Sequence, residues 1–201
     1  MDADEYKTVK ESAVNFVTLK ITEEQLKQFM DVADEDALTD VLVVPFLRNI
    51  GFRCILKKGH RDRSLEFGQD LRSFKFQLPT GHWLYFAAQV KTQDLIYSSE
   101  EGEGKTNVDK VITQLNMAFE HEMFDLETGG KFLPDHIFLI TSHDANEGAR
   151  LYIQEKIYRE KRRRVLIWYG ENLIERILLI GLPESNQLEI IKYINTSKRE
   201  S

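Results

Sequence analysis

The sequence predicts a mixed α/β domain in which a central sheet is flanked by helices. Three observations carry that expectation. Apolar spacing switches repeatedly between helical and strand periods along the chain. The 201 residues are 42% hydrophobic and 30% charged, enough apolar material to enclose a core and too much for a chain that stays disordered. Only 11 Gly and 4 Pro are present and no segment repeats, which excludes fibrous and solenoid architectures.

Residues 15–21 alternate apolar and polar side chains and read as a short strand, part of an N-terminal extension (residues 1–33) packed on the core. Thr22 and Gln25 form a capping box, so a helix is expected over 23–32. Asp34 caps a second helix in which Leu38, Val41, Leu42, Pro45, Phe46 and Ile50 recur at helical spacing until Gly51 closes it; Pro45 is expected to kink it. Strands follow over 52–56, 70–78 and 83–91, with Cys54 at a buried strand position and Pro79-Thr80-Gly81 as the hairpin turn. Residues 97–104 have no apolar period and read as a loop. Val108, Val111, Ile112, Leu115 and Phe119 mark a helix, followed by a strand at 137–140, a helix at 145–158, a strand at 165–169 and a helix at 171–179. The main domain is thus residues 34–182, and residues 183–201 are expected to form a short helix over 187–194 and a polar tail.

Several function classes are disfavoured. The net charge of −6 argues against a uniformly basic nucleic-acid-binding surface, though not against a local basic cleft. The apolar runs fall short of the roughly 18 residues that span a bilayer, and the start Met1-Asp2-Ala3-Asp4-Glu5 lacks a basic-then-apolar leader, so no membrane partner and a cytoplasmic location are expected. One cysteine forms no disulfide framework, and the five histidines lack the spacing of a zinc helix. No Gly-x-Ser-x-Gly elbow or Gly-rich phosphate loop occurs.

The informative segment is Glu66-Phe67-Gly68-Gln69-Asp70 followed by Gln89-Val90-Lys91. In an extended strand Gln89 and Lys91 share a face, while Ala88 and Val90 turn to the opposite, apolar one. A two-residue hairpin loop would set Asp70 against Gln89 or Lys91 and bring all three to one face. A three-residue loop would set it against Val90 and separate them, unless a bulge intervenes. A carboxylate, an amide oxygen and an ammonium converging on one spot suit metal-assisted phosphodiester hydrolysis. Oxygen ligands hold Mg²⁺ or Mn²⁺, and a lysine stabilises charge gathering at phosphorus.

At these residues the chain resembles the PD-(D/E)xK nuclease superfamily and, within it, the Mrr-like restriction endonucleases, in which Gln replaces the usual Glu of the last motif. Asp70 matches the invariant acid and Gln89-Val90-Lys91 the (E/Q)xK strand. Asp40 stands near the place of the family's helix acid, and Glu66 resembles the acid of an E-x-G-x-D variant. The resemblance implies a restriction-endonuclease-like αβββαβ core and a DNA endonuclease serving restriction or antiviral defence. Asp70, Gln89 and the Val90 carbonyl would hold Mg²⁺ or Mn²⁺, Lys91 would act electrostatically, and Asp40 or Glu66 would supply a further acid. The implied partners are DNA, with RNA offering the same phosphate chemistry, and a recognition or NTPase module, fused or separate, or a second copy of the chain. The alternative is a nuclease fold kept as a noncatalytic nucleic-acid or protein interaction module. Lys57, Lys58, His60, Arg61 and Arg63 precede the motif and are expected to hold phosphates. The run Lys161-Arg162-Arg163-Arg164 is read instead as cations at a helix end, offsetting carbonyl dipoles.

Overall fold

A computed structural model describes residues 20–57, 69–97 and 108–200. Helix α1 (Glu23–Val32) begins at the expected box, in which the Thr22 hydroxyl accepts from the Gln25 N–H and the Gln25 side chain accepts from the Thr22 N–H. Asp34 caps α2, a continuous helix in three segments: Glu35–Ala37, a π-helical stretch Leu38–Val43, and Val44–Asn49. The π segment answers the question posed by Pro45. Proline has no N–H to donate and its ring crowds the carbonyl four residues back, so a widened turn just ahead of it lets the helix continue. Gly51, at φ +101°, ends the helix, in a conformation that favours glycine.

Three strands follow: β1 (Leu56–Lys57), β2 (Leu71–Gln77) and β3 (Trp83–Lys91). The strand expected at 52–56 is reduced to an Arg53–Lys75 bridge and the two-residue β1. The cause is Cys54, which sits half-buried at φ +59° and interrupts the extended run; the expected buried strand position is therefore corrected. Beyond β3 come α3 (Val108–Glu120), the small hairpin β4 (Met123–Phe124) and β5 (Lys131–Phe132), then β6 (His136–Thr141), α4 (Glu147–Lys156), β7 (Val165–Trp168), α5 (Gly170–Ile180) and α6 (Glu184–Glu200). The β4–β5 hairpin has too few residues to register as a period. Helix α6 runs past the expected 187–194 at both ends; within that stretch Ile190 and Ile194 are buried and Tyr193 packs edge-on against Phe29 of α1. Gln187 of α6 also accepts from the Ile21 N–H, joining the two ends of the described chain. Lys20 and Ile21 are not strand, and the rest of the expected 15–21 strand lies outside the described residues.

The five-stranded sheet has the order β1-β2-β3-β6-β7, antiparallel through β3 and parallel from β3 to β7, so it is mixed. Alternation builds two cores. Phe86, Ala88 and Val90 of β3, with Phe138 and Ile140 of β6, face α1, α2, α5 and α6. Ala87, Ile137 and Leu139 face α3 and α4. Among the described residues, no helix is long and apolar enough to cross a membrane.

Candidate functional site

The hairpin register decides whether Asp70 meets the β3 motif. The Leu78 N–H donates to the His82 carbonyl at 2.8 Å, so Pro79, Thr80 and Gly81 form a three-residue loop, the geometry that separates the three residues in a regular ladder. A bulge restores them. Phe74 lies opposite Phe86, but Leu71 lies opposite Ala88, where an unbroken ladder would set it against Gln89. The extra residue is taken up around Ser73, at φ +61°. The Asp70 carboxylate therefore accepts from the Gln89 side-chain amide at 2.5 Å and from the Val90 N–H at 2.7 Å, with the Lys91 ammonium 4.0 Å away.

The cluster is more enclosed than an open strand face would be. Gln89 is 1% exposed, and the Lys91 and Asp70 side chains 16% and 24%. Ala88 and Val90, on the opposite face, are fully buried. Gln89 Nε2 faces Asp70, whereas Gln89 Oε1 is buried with no hydrogen-bond partner among the described residues. An amide oxygen out of water without a partner is costly, and a cation or water is what satisfies one. Mg²⁺ binds through one or two carboxylates and keeps several waters, so Asp70 together with an amide oxygen suits it. The two ends of an amide are nearly isosteric, so a half-turn would present Oε1 in place of Nε2. Among the described residues, no three His, Cys, Asp or Glu side chains gather in a way that could hold a metal, so the fit rests on this mixed donor pair.

Asp40 falls elsewhere. Its carboxylate lies 2.7 Å from the Lys57 ammonium, and Asp36, one turn earlier, lies 3.1 Å from the same group. Burial alone would lower the Lys57 pKa, but the hydrogen bonds that the ammonium donates to both acids outweigh it and hold the group above its ordinary value. Lys57, expected to hold phosphate, is thus clasped by α2. The helix acid that reaches Lys91 is Glu35, at 3.4 Å. A sequence signal for it existed. Glu35 precedes the buried Leu38 and Leu42 by three and seven residues and extends their stripe to the helix start, whereas Asp36 and Asp40 lie on the exposed side. Glu66, Lys58, His60, Arg61 and Arg63 lie outside the described residues. In the other basic run, Arg162 donates to the carbonyls of Glu155 and Ile157 at the end of α4, as expected of a cation at a helix end, whereas Arg164 donates to those of Pro134 and Asp135 in the loop before β6.

A second lysine cluster was not anticipated. Lys75, 1% exposed, bonds Asp125 at 3.0 Å and Glu127 at 2.6 Å and lies 4.8 Å from the centre of the Trp83 ring. The Tyr85 hydroxyl donates to Asp125, and the Cys54 thiol to Glu127. Burial alone would raise the Asp125 pKa, but the Lys75 ammonium and the Glu127 N–H pull it down to about 2.

No protein-family model, curated protein or solved structure matches this chain.

Proposed function

We propose that this chain is a metal-dependent endonuclease of the restriction-endonuclease-like type, hydrolysing DNA phosphodiester bonds and serving host defence. The observation that supports the reading is the junction built by the bulge: Asp70 bonded to Gln89 and Val90, Lys91 at 4.0 Å, and a buried Gln89 oxygen left without a partner. The order α2, β1, β2, β3, α3, β6 is consistent with an αβββαβ core. Asp70 and Gln89, with the Val90 carbonyl, would hold Mg²⁺ or Mn²⁺, which supplies a Lewis acid for the phosphate oxygen and for the attacking water.

The remaining work belongs to the side chains. Lys91 ends β3, and its compact ammonium places fixed positive charge where negative charge develops on the phosphoryl oxygens. Glu35 and Asp70 flank that ammonium and orient it. The Val90 N–H fixes the Asp70 carboxylate, so little rearrangement is required when substrate arrives. One observation favours a noncatalytic interaction module instead: in this arrangement Gln89 donates to Asp70, the contact of a closed polar pair.

Incubating the purified chain with plasmid, single-stranded DNA and RNA, each with Mg²⁺ and with EDTA, separates the two. Mg²⁺-dependent cleavage lost in Lys91→Ala supports the nuclease. Binding without cleavage under every condition supports the interaction module.

A further inference from the structure

We infer that Tyr97 and Tyr152 form a stacking subsite for an unpaired nucleobase, so that the strand held by this protein is single-stranded where it leaves the β3 end. The inference deepens the nuclease reading and rests on it for the class of ligand.

After Lys91 the chain runs across the carboxyl end of β6. Thr141 donates to the Gln93 carbonyl at 2.7 Å, and the Asp144 N–H donates to Asp94 at 3.0 Å. Leu95 then pairs with Ala145 in a parallel bridge just before α4. Tyr97 is consequently held against α4, its Cβ 3.9 Å from where a Cβ on Gly148 would stand. It lies six positions after Lys91, a path of at most about 20 Å, or roughly six base steps along a strand.

The two rings are centred 4.2 Å apart and inclined by 32°. Tyr152 is fixed from behind, its hydroxyl donating to Asp109 at 3.0 Å and the Lys156 ammonium 5.3 Å from its ring centre. Tyr97 rests on it and is 53% exposed. An aromatic ring ordered by a second ring, with more than half its surface in water and a cation beside the stack, has the features of a base platform; every base has a π-face to offer, but only an unpaired one can present it fully.

The test is fluorescence anisotropy with a labelled 12-nucleotide oligo(dT) and the matching duplex, in EDTA, so that binding is read apart from cleavage. The wild type is expected to bind the single strand more tightly than the duplex. Tyr97→Ala should weaken single-strand binding about tenfold at an unchanged melting temperature, with Tyr97→Phe close to wild type. Tyr97→Trp should lose indole fluorescence as oligo(dT) saturates it. No binding by the wild type, or equal binding by wild type and Tyr97→Ala, overturns the subsite. Tyr97-dependent binding by a chain that never cleaves would overturn the nuclease and leave the subsite standing; cleavage with Tyr97-independent binding would do the reverse.

Discussion

Lys75 and Lys91 lie on the two strands of one hairpin, and each faces a pair of carboxylates. Around Lys75 the contacts are short, 3.0 and 2.6 Å, the ammonium is sealed from water, and Tyr85 and Cys54 donate to the two acids. Around Lys91 they are 3.4 and 4.0 Å, the lysine side chain is 16% exposed against 2% for Lys75, and the neighbouring Gln89 oxygen has no partner among the described residues. A cluster of this kind, with its ammonium buried and both acids bonded, tethers the β4–β5 hairpin to β2, and only Glu127, 55% exposed, meets water. A looser one, with an orphaned acceptor, holds back its bonding capacity for something else. The difference teaches that enclosure and satisfaction, rather than residue type, separate a structural lysine from a candidate catalytic one.

The comparison is broken most forcefully at Lys75. Lys75→Ala leaves Asp125 buried without its cation and should destabilise the fold by about 3–5 kcal/mol in urea unfolding. Lys91→Ala should move the same midpoint by less than about 1 kcal/mol, since its pairs are partly exposed and long. It should instead cut cleavage by about 100-fold or more under Mg²⁺, because the lost charge acts in the transition state. If both variants lose only stability, the distinction fails.

A smaller effect sharpens the assignment of the helix acid. Glu35→Gln should slow cleavage about tenfold by releasing the Lys91 ammonium, whereas Asp40→Asn, which touches Lys57, should stay within about twofold of wild type. The reverse ranking in single-turnover assays would return the role to Asp40. A further effect is in acid. The Asp125 carboxyl titrates at about 2 in the fold, below its value in the unfolded chain, so the stability it contributes is complete above about pH 4 and lost as pH falls towards 2. Unfolding free energies measured across that window should decline in the wild type and decline less in Asp125→Asn.

Much of the architecture was legible in the sequence because periodicity records burial. The Thr22 cap, β3 over Trp83–Lys91 and the alternation of Ala88 and Val90 against Gln89 appear as the spacing requires. What the sequence does not display is the bulge. Its extra residue falls around Ser73, and on it depends whether Asp70 stands opposite Gln89 or opposite Val90. The partner of Lys75 was hidden for another reason, since Asp125 is 50 residues away on a hairpin too short to show a period. Glu35 was legible in principle, as the first residue of the buried stripe of α2.

Calorimetric titration of Mn²⁺ into the wild type and Asp70→Asn shows whether the Asp70–Gln89 junction holds a divalent cation, as proposed. Saturable binding by the wild type and at least about tenfold weaker binding by Asp70→Asn are expected, with both proteins melting at similar temperatures. Equal affinity in the two proteins, or no binding by the wild type, would contradict the proposal.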